Sequence, residues 1–503
     1  MRTLVWFRAD LRLHDHPALT EATRSSSRGV IALYVLSPSE WKSFDYAPAR
    51  IDLMLRSLAE LSHNLERLNI PLLIRTAASA HDVPRQILDV ATTHQCDRLA
   101  FTPEYELNES RRDEVVTNLF TKPGREVRAH HHAVLAQPGT IRTGAGEAYK
   151  VFTPFKKALI ARLAESTELL DATPAPKKQP AMPMPPDPIP TSIAGFEFTP
   201  TPLDELQLAS PDAAYHPFPA GEQAAIQHLN RFASNRVRTY ADARDIPSLD
   251  ATSRLSPHLS LGTLSPHACL RAAIDASLDH NSTGATLLAA TSKKTGPSTW
   301  ISEIIWREFY IHVMRLFPRV CMHRAFDLAT ESIEWDDNPE FLDAWKQGRT
   351  GVPIVDAGMR QLRITNWMHN RIRMVTAMFL AKNLFLDWRL GEQHFMSQLV
   401  DGFLASNNGG WQWSASTGTD AAPYFRIFNP ISQSRRFDPR GDYIRRWVPE
   451  LRAISADAIH EPWQRKASDA RSGVLFDSRE YPARPIVDLS ATRSRAIEAF
   501  RAR

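Results

Sequence analysis

Three segments of this 503-residue chain carry residue types at spacings that could do chemistry. The most informative runs from Asn407 to Pro430, NNGGWQWSASTGTDAAPYFRIFNP, with paired Asn, paired Gly, two Trp and a run of small polar residues. It follows no clean helix or strand period, and Trp at alternate positions beside Gly-Gly gives up the regularity of a plain core. Flat aromatic groups on a close-approaching backbone suit a planar ligand. The second segment is WISEIIWREFY, Trp300 to Tyr310, where Pro297 followed by Ser298 and Thr299 signals a helix start. Glu303, Trp306, Arg307 and Tyr310 fall at i, i+3, i+4 and i+7 and so share one face, while Ile304, Ile305 and Phe309 take others. A carboxylate, a guanidinium and an indole on one face could line a pocket; they could equally form a Glu303–Arg307 ion pair beside a core Trp. The third segment, TNWMHNRIRMVTAM, puts Trp367, Asn370, Arg371, Met374 and Met378 on one stripe. Met and Trp at this spacing usually make core, yet a buried amide such as Asn370 must find hydrogen-bond partners. His369 falls on a neighbouring face and reads as structural.

Trp388, in DWRLGEQHF, Trp335, in SIEWDDNPEF, and Trp411 are each explicable as packing. Their concentration is harder to explain that way, since eight of the chain's twelve Trp lie between Trp300 and Trp413.

The elements that must position these residues divide along the chain. The first 130 or so residues alternate strand-like runs (TLVWF, VIALYVL, IPLLIRT, DRLAFT) with helical patterns, clearest at Ile51, Met54, Leu55, Leu58, Leu61, Leu65 and Leu68. That alternation predicts an α/β domain with a parallel, Rossmann-like sheet covered on both faces. No G-x-G-x-x-G follows the first strand, and WFRADLRLHDH puts charge where those glycines would be, so no standard phosphate cradle is expected. DATPAPKKQPAMPMPPDPIPTS is Pro-rich and predicts an extended connector within residues 133–220. Beyond Gly221 helix patterns dominate, predicting an all-α domain over 221–503 with a short irregular tail.

Composition bounds the rest. With 43% hydrophobic and 23% charged residues, the chain is a folded protein expected to hold two or three domains. No apolar run approaches the roughly 20 residues of a membrane span, and the charged N-terminus is unlike a signal peptide. Cys96, Cys269 and Cys321 are few and scattered, which fits a reducing cytoplasm and excludes a disulfide framework or Cys-based metal site. His130, His131 and His132 are consecutive and cannot all face one metal, so no metal site is assigned. The net charge of +4 decides nothing, but Arg-rich runs interleaved with aromatics suggest a nucleic-acid surface.

The chain resembles the photolyase/cryptochrome family, more narrowly the class I cyclobutane pyrimidine dimer photolyases. The resemblance rests on LVWFRADLRLHDHPAL, YKVFTPF, TSRLSPHLSLGTLSP, WISEIIWREFY, GVPIVDAGMRQL, WMHNRIRM and the Asn407 segment through YFRIFNPISQ, which together span almost the whole chain. It implies an antenna domain over residues 1–132, a helical FAD- and DNA-binding domain over 221–503, and light-driven repair of UV-damaged DNA. Asn370 and Met374 are similar to the dimer-repairing branch, since (6-4) photolyases and animal cryptochromes typically carry His where Asn370 stands. A blue-light-sensing cryptochrome on the same fold is the alternative.

Carried over by resemblance, Tyr240 and the turn Thr252, Ser253, Arg254, Leu255 and Ser256 would hold the phosphates and ribose of FAD. Trp300, Arg307, Arg373, Asp401, Gly402, Phe403 and Asn407 would surround its flavin, reduced and anionic when active, with Asn407 facing N5. Trp306 and Trp413 would clasp the flipped dimer, and Glu303, Asn370 and Met374 would contact its bases. Trp411, Trp388 and Trp335 would relay electrons to the flavin. Arg244, Arg371, Arg426 and Gln433, with Arg307 and Tyr310, would contact DNA, single- or double-stranded and by lesion rather than sequence. Asn108 and Glu109 match an acidic patch for a second, antenna chromophore. Phe44 and Met322 replace the His and Lys of folate-using relatives, so methenyltetrahydrofolate stands only slightly ahead of a deazaflavin, a second flavin or none. A monomer is expected.

Overall fold

The computed structural model describes residues 1–165, 170–201, 218–277, 286–464 and 481–502. The chain forms five parallel strands, the first four from the apolar runs: β1 (Thr3–Phe7), β2 (Val30–Leu36), β3 (Leu72–Thr76), β4 (Arg98–Phe101) and β5 (Glu126–Ala129). Their order is β3-β2-β1-β4-β5, with Thr3 registered between Val30 and Arg98. β1 and β2 are buried at every position, as expected of central strands with both faces covered. β5 carries Arg and Glu on an edge strand and had no clear signal in the sequence. The apolar i, i+3, i+4 series beginning at Ile51 forms the Pro48–Glu66 helix, with Leu58 and Leu65 fully buried.

The contacts cut the chain differently from the boundaries expected at residues 132 and 220. One compact unit comprises Met1–Phe198, Pro219–Ala241 and Thr252–Cys321; the other comprises Thr199–Phe218, Asp242–Ala251 and Met322–Arg503. Within the first unit the reason is visible in WFRADLRLHDH. Arg12 donates to the backbone oxygen of Gly262, the Glu222 carboxylate accepts from the backbone of Leu13 and His14, and Ser265 and Arg271 donate to Asp15. Burial pushes the Asp10 carboxyl up, but His16 at 3.0 Å and the Arg8 amide outweigh it and hold it down at about 2. The charges that replace a phosphate cradle thus fasten later helices to the sheet. Gly262 is required there: its φ is +66°, and a Cβ would sit 1.9 Å from the Ala9 oxygen.

The expected connector is only partly extended. Phe152–Glu165 is a helix, and Asp187 of the Pro-rich stretch bonds along β3, its amide to the Leu72 oxygen and its carboxylate to the Ile74 amide. Proline-rich chain there covers the edge of the sheet. Residues 166–169 and 202–217 of this connector lie outside the described residues. Beyond β5 the described residues are helices, turns and isolated bridges. No helix among them is long and apolar enough to cross a membrane.

Candidate active site

In the first unit, the Gly296–Leu316 helix begins one turn's reach earlier than its sequence signal. Thr295 is the cap, its hydroxyl accepting from the Ser298 amide while the Ser298 hydroxyl accepts from the Thr295 amide. Ile304, Ile305, Glu308 and Phe309 are buried, whereas Glu303, Trp306, Arg307 and Tyr310 are half-buried, so the anticipated stripe is the open face. Arg307 donates to the Ala133 oxygen at 2.9 Å. Burial lowers its pKa, against the pull of Glu308 and Glu106. Trp300, 3% exposed, packs edge-on against Phe232 at 4.8 Å, and Phe232 meets Tyr240 edge-on at 5.7 Å. Within the Thr252–Ser256 turn, Arg254 is buried in left-handed backbone at φ +47°. A non-glycine residue is held in that region only where its surroundings over-determine it, commonly at ligand sites.

The second unit holds the aromatic-rich segment, and here the structure corrects the expectation of an irregular segment. Leu404–Ala415 is a helix despite Gly409 and Gly410, and Ser416 closes it in left-handed backbone. Glycines disfavour an isolated helix by about 1 kcal/mol each; packing overrides them. At about 100° per residue, Trp411 and Trp413 point to opposite sides. Trp411 is buried in the core cluster with Trp388, and Trp335 packs against that cluster half-exposed. Trp413 is half-buried, edge-on to Phe428 at 6.3 Å. Gly391 makes room for Trp411: a Cβ would lie 2.1 Å from the indole Cη2. We expect Gly391→Ala to cost about 1–3 kcal/mol, read as a lowered Tm with altered Trp fluorescence.

Arg373 is locked by Asp401, Nη2 to Oδ2 at 2.8 Å, and donates through Nε to the Met368 oxygen. Gly402 and Phe403 lead into the helix, and the Phe403 oxygen accepts the Asn407 amide. The Asn407 side-chain nitrogen donates to the Glu392 oxygen at 2.9 Å, which aims its own oxygen away. Sequence reasoning missed the layer behind it, where buried Glu392 accepts from Asn408, Asn408 from Gln412, and Gln412 from the Phe326 amide. Its only sequence trace is the polar alternation within NNGGWQW.

The 367–378 stripe splits. Trp367 and Met378 are buried core, but Asn370 is exposed at the start of the Asn370–Met378 helix, so the argument from a buried amide does not hold. Asn370 and the half-buried Met374 lie one turn apart on its open side. His369 is the helix cap, its ring accepting from the Arg371 amide. Arg371 pairs with Asp245 at 2.9 Å, and Arg244 lies 3.9 Å from the same carboxylate, so two expected phosphate contacts meet. Arg426 is exposed, and Gln433 sits half-buried on the Pro430–Phe437 helix.

Asn108 is exposed and Glu109 half-buried at the start of the Leu107–Thr121 helix. Burial first, then the charges of Glu106 and Glu104, push Glu109 up to about 8. The histidine triplet diverges: His130 lies 3.4 Å from Glu21, His131 bonds the Tyr105 hydroxyl, and His132 lies 3.3 Å from Asp15. His132 also stacks flat on His267 at 3.9 Å. Ligand atoms of Asp15, His132 and His267 fall within 4.8 Å of one another. Parallel rings, however, aim their lone pairs side by side rather than at one ion, and Asp15 already accepts from Ser265, Arg271 and the Thr173 amide.

In the second unit the locked Arg373 guanidinium, a donor, and the Asn407 amide oxygen, an acceptor, suit a flavin ring; in the first, the hydroxyl side chains of the Thr252–Ser256 turn suit phosphates. Comparison with known proteins agrees. The family model described as DNA photolyase matches residues 3–179, and the model described as the FAD binding domain of DNA photolyase matches residues 300–502. The chain belongs to the DNA photolyase family. It is 43% identical over 504 residues to the deoxyribodipyrimidine photo-lyase of Salmonella typhimurium, covering 99% of this chain and 98% of that one. It is 42% identical to that of Escherichia coli, with the same coverage. Among solved structures, a class III photolyase from Agrobacterium tumefaciens aligns with TM-score 0.86 at 34% identity, over 100% of this chain and 97% of that one. A Synechocystis cryptochrome aligns with TM-score 0.81 at 26% identity, over 99% of each.

Proposed function

We propose that this chain is a light-driven DNA-repair enzyme, a carbon–carbon lyase of the class I branch that splits cyclobutane pyrimidine dimers. The observation that carries this is one helix of the second unit, Leu404–Ala415, which turns Trp411 into the core and Trp413 outward, carries Asn407, and follows directly on the Asp401 that holds Arg373. Residues 1–132 serve as the antenna domain and 221–503 as the FAD- and DNA-binding domain.

Reduced FAD, when bound, supplies a light-excited electron that opens the dimer's ring and is then returned. Arg373, fixed by Asp401, would supply a permanent positive charge to the anionic flavin, and the Asn407 oxygen, oriented by its amide's bond to Glu392, would face N5. Tyr240 and the Thr252–Ser256 turn would hold the ribose and phosphates, and Trp300, Gly402 and Phe403 would each contact the flavin. A damaged dinucleotide is poorly stacked, so swinging it out costs less than flipping intact bases. Trp306 and Trp413 stack on it, worth roughly 1–3 kcal/mol per base, while Glu303, Asn370 and Met374 touch its base edges. Arg244, Arg371, Arg426 and Gln433, with Arg307 and Tyr310, grip the backbone and select no sequence. The protein works as a cytoplasmic monomer on damaged DNA, single- or double-stranded.

The test is repair of thymine-dimer DNA by the fully reduced protein, expected in light and absent in darkness. Light-dependent flavin bleaching without any repair would favour the light-sensor reading, to which the Synechocystis cryptochrome neighbour lends support.

The antenna chromophore is methenyltetrahydrofolate, held at Asn108 and Glu109 despite Phe44 and Met322. Glu109, ordinarily near 4.5 and raised to about 8, is protonated at neutral pH and can donate to a carbonyl-rich ligand. Its contribution to stability is complete below about 4.5 and is lost as pH rises through about 8. The near-ultraviolet antenna band is therefore expected to fade as pH passes about 8, and Glu109→Gln to flatten that profile. A pH-independent band in the parent protein would remove Glu109 from the site.

A further inference from the structure

Trp306 has two flat faces, and one is already taken. Phe152, the first residue of the Phe152–Glu165 helix, stacks on the indole with ring centroids 3.7 Å apart and planes only 6° from parallel. Free aromatic pairs prefer offset or edge-on geometry at about 4.5–7 Å, and the neighbouring rings follow that preference. Phe309 meets Trp306 edge-on at 5.7 Å and Phe152 edge-on at 5.9 Å, while Tyr310 lies tilted at 5.5 Å from Trp306. The face-to-face stack is therefore imposed by how the two helices dock. Docking is pinned one turn away on each helix, where Lys156 donates to the Ser302 hydroxyl at 2.6 Å. Phe155 completes the contact, 5.3 Å from Phe309 and edge-on to His312 at 4.9 Å. Phe152 is buried, whereas Trp306 is half-buried, so what remains open of the indole lies away from the phenyl ring.

We propose that Phe152 is a positioning residue for lesion recognition: it covers one face of Trp306, fixes the indole plane, and leaves the opposite face as the single platform for a flipped pyrimidine. This rests on the reading that Trp306 clasps the lesion. A Trp free to rotate must be ordered when DNA binds, and each rotamer-rich side chain frozen at that moment weakens binding. Backed by Phe152, the indole is ordered during folding instead, and no second base can enter behind it. The selectivity for damaged over intact DNA then depends on a residue that never touches the nucleic acid.

The experiment measures, in the dark, the affinity of the whole protein for a thymine-dimer oligonucleotide and its undamaged counterpart. Phe152→Leu and Phe152→Met each keep apolar volume without a flat ring, so a folding defect in one leaves the other to report. Both are expected to weaken lesion binding about 3- to 10-fold while undamaged DNA binds within about twofold of the parent, and Phe152→Tyr to restore it. Parental or tighter lesion binding overturns the proposal, because the indole would need no backing or the phenyl ring would occupy the place of a base. Equal losses on both DNAs overturn it too, as a structural role. Trp306→Ala separates the layers: if it spares lesion selectivity, the clasp itself fails, whereas a Trp306→Ala loss beside a parental Phe152→Leu removes Phe152 alone.

Discussion

Replacing Trp411 by Phe is expected to stop light-driven reduction of the flavin while leaving repair by chemically reduced protein intact. Trp411 is 2% exposed, edge-on to Phe395 at 4.9 Å and to Trp345 at 6.0 Å. It shares one buried cluster with Trp388, and Trp335 packs on the same cluster beside Phe385 at 5.1 Å, part-exposed. That gradient from core to surface is what an electron relay needs, and phenylalanine keeps an aromatic ring while losing the readily oxidised indole. The void left by the smaller ring costs roughly 1–3 kcal/mol, so the variant should fold. Bleaching of the blue flavin bands under illumination with an external reductant reads the first activity, and dimer loss after chemical reduction reads the second. Loss of both would make Trp411 a packing residue; retention of photoreduction would route electrons elsewhere.

Trp306→Ala is expected to weaken binding of dimer-containing DNA about 10- to 100-fold, the equivalent of roughly 1–3 kcal/mol of stacking, with little change on undamaged duplex. The separation follows from where the charges lie. Arg371 and Arg244 gather about Asp245 in the second unit and, as phosphate contacts, would serve any DNA backbone, while the half-buried indole would serve only a base brought out of the stack. Salt should therefore weaken both DNAs alike in parent and variant. An equal loss for damaged and undamaged DNA would refute the clasp.

Part of this was legible in the residues alone because it depends on local period. Four parallel strands follow from short apolar, β-rich runs, and the Pro48–Glu66 helix and the open face of Glu303, Trp306, Arg307 and Tyr310 from spacings of three and four. The family also follows, because its motifs are long and cover both ends of the chain. Tertiary structure alone decided the rest. Leu404–Ala415 is a helix although its own Gly-Gly argues locally for a break, and Gly391, 20 residues upstream of Trp411, leaves the space that indole fills. Asn370 is exposed and Met378 buried on what the sequence drew as one stripe, since burial depends on what docks against a helix. The helices of 221–241 and 252–321 belong with the sheet because buried charges in WFRADLRLHDH reach them. Phe152 finds Trp306 across 154 residues for the same reason: contacts between distant segments are set by how whole helices pack, and no local pattern encodes them.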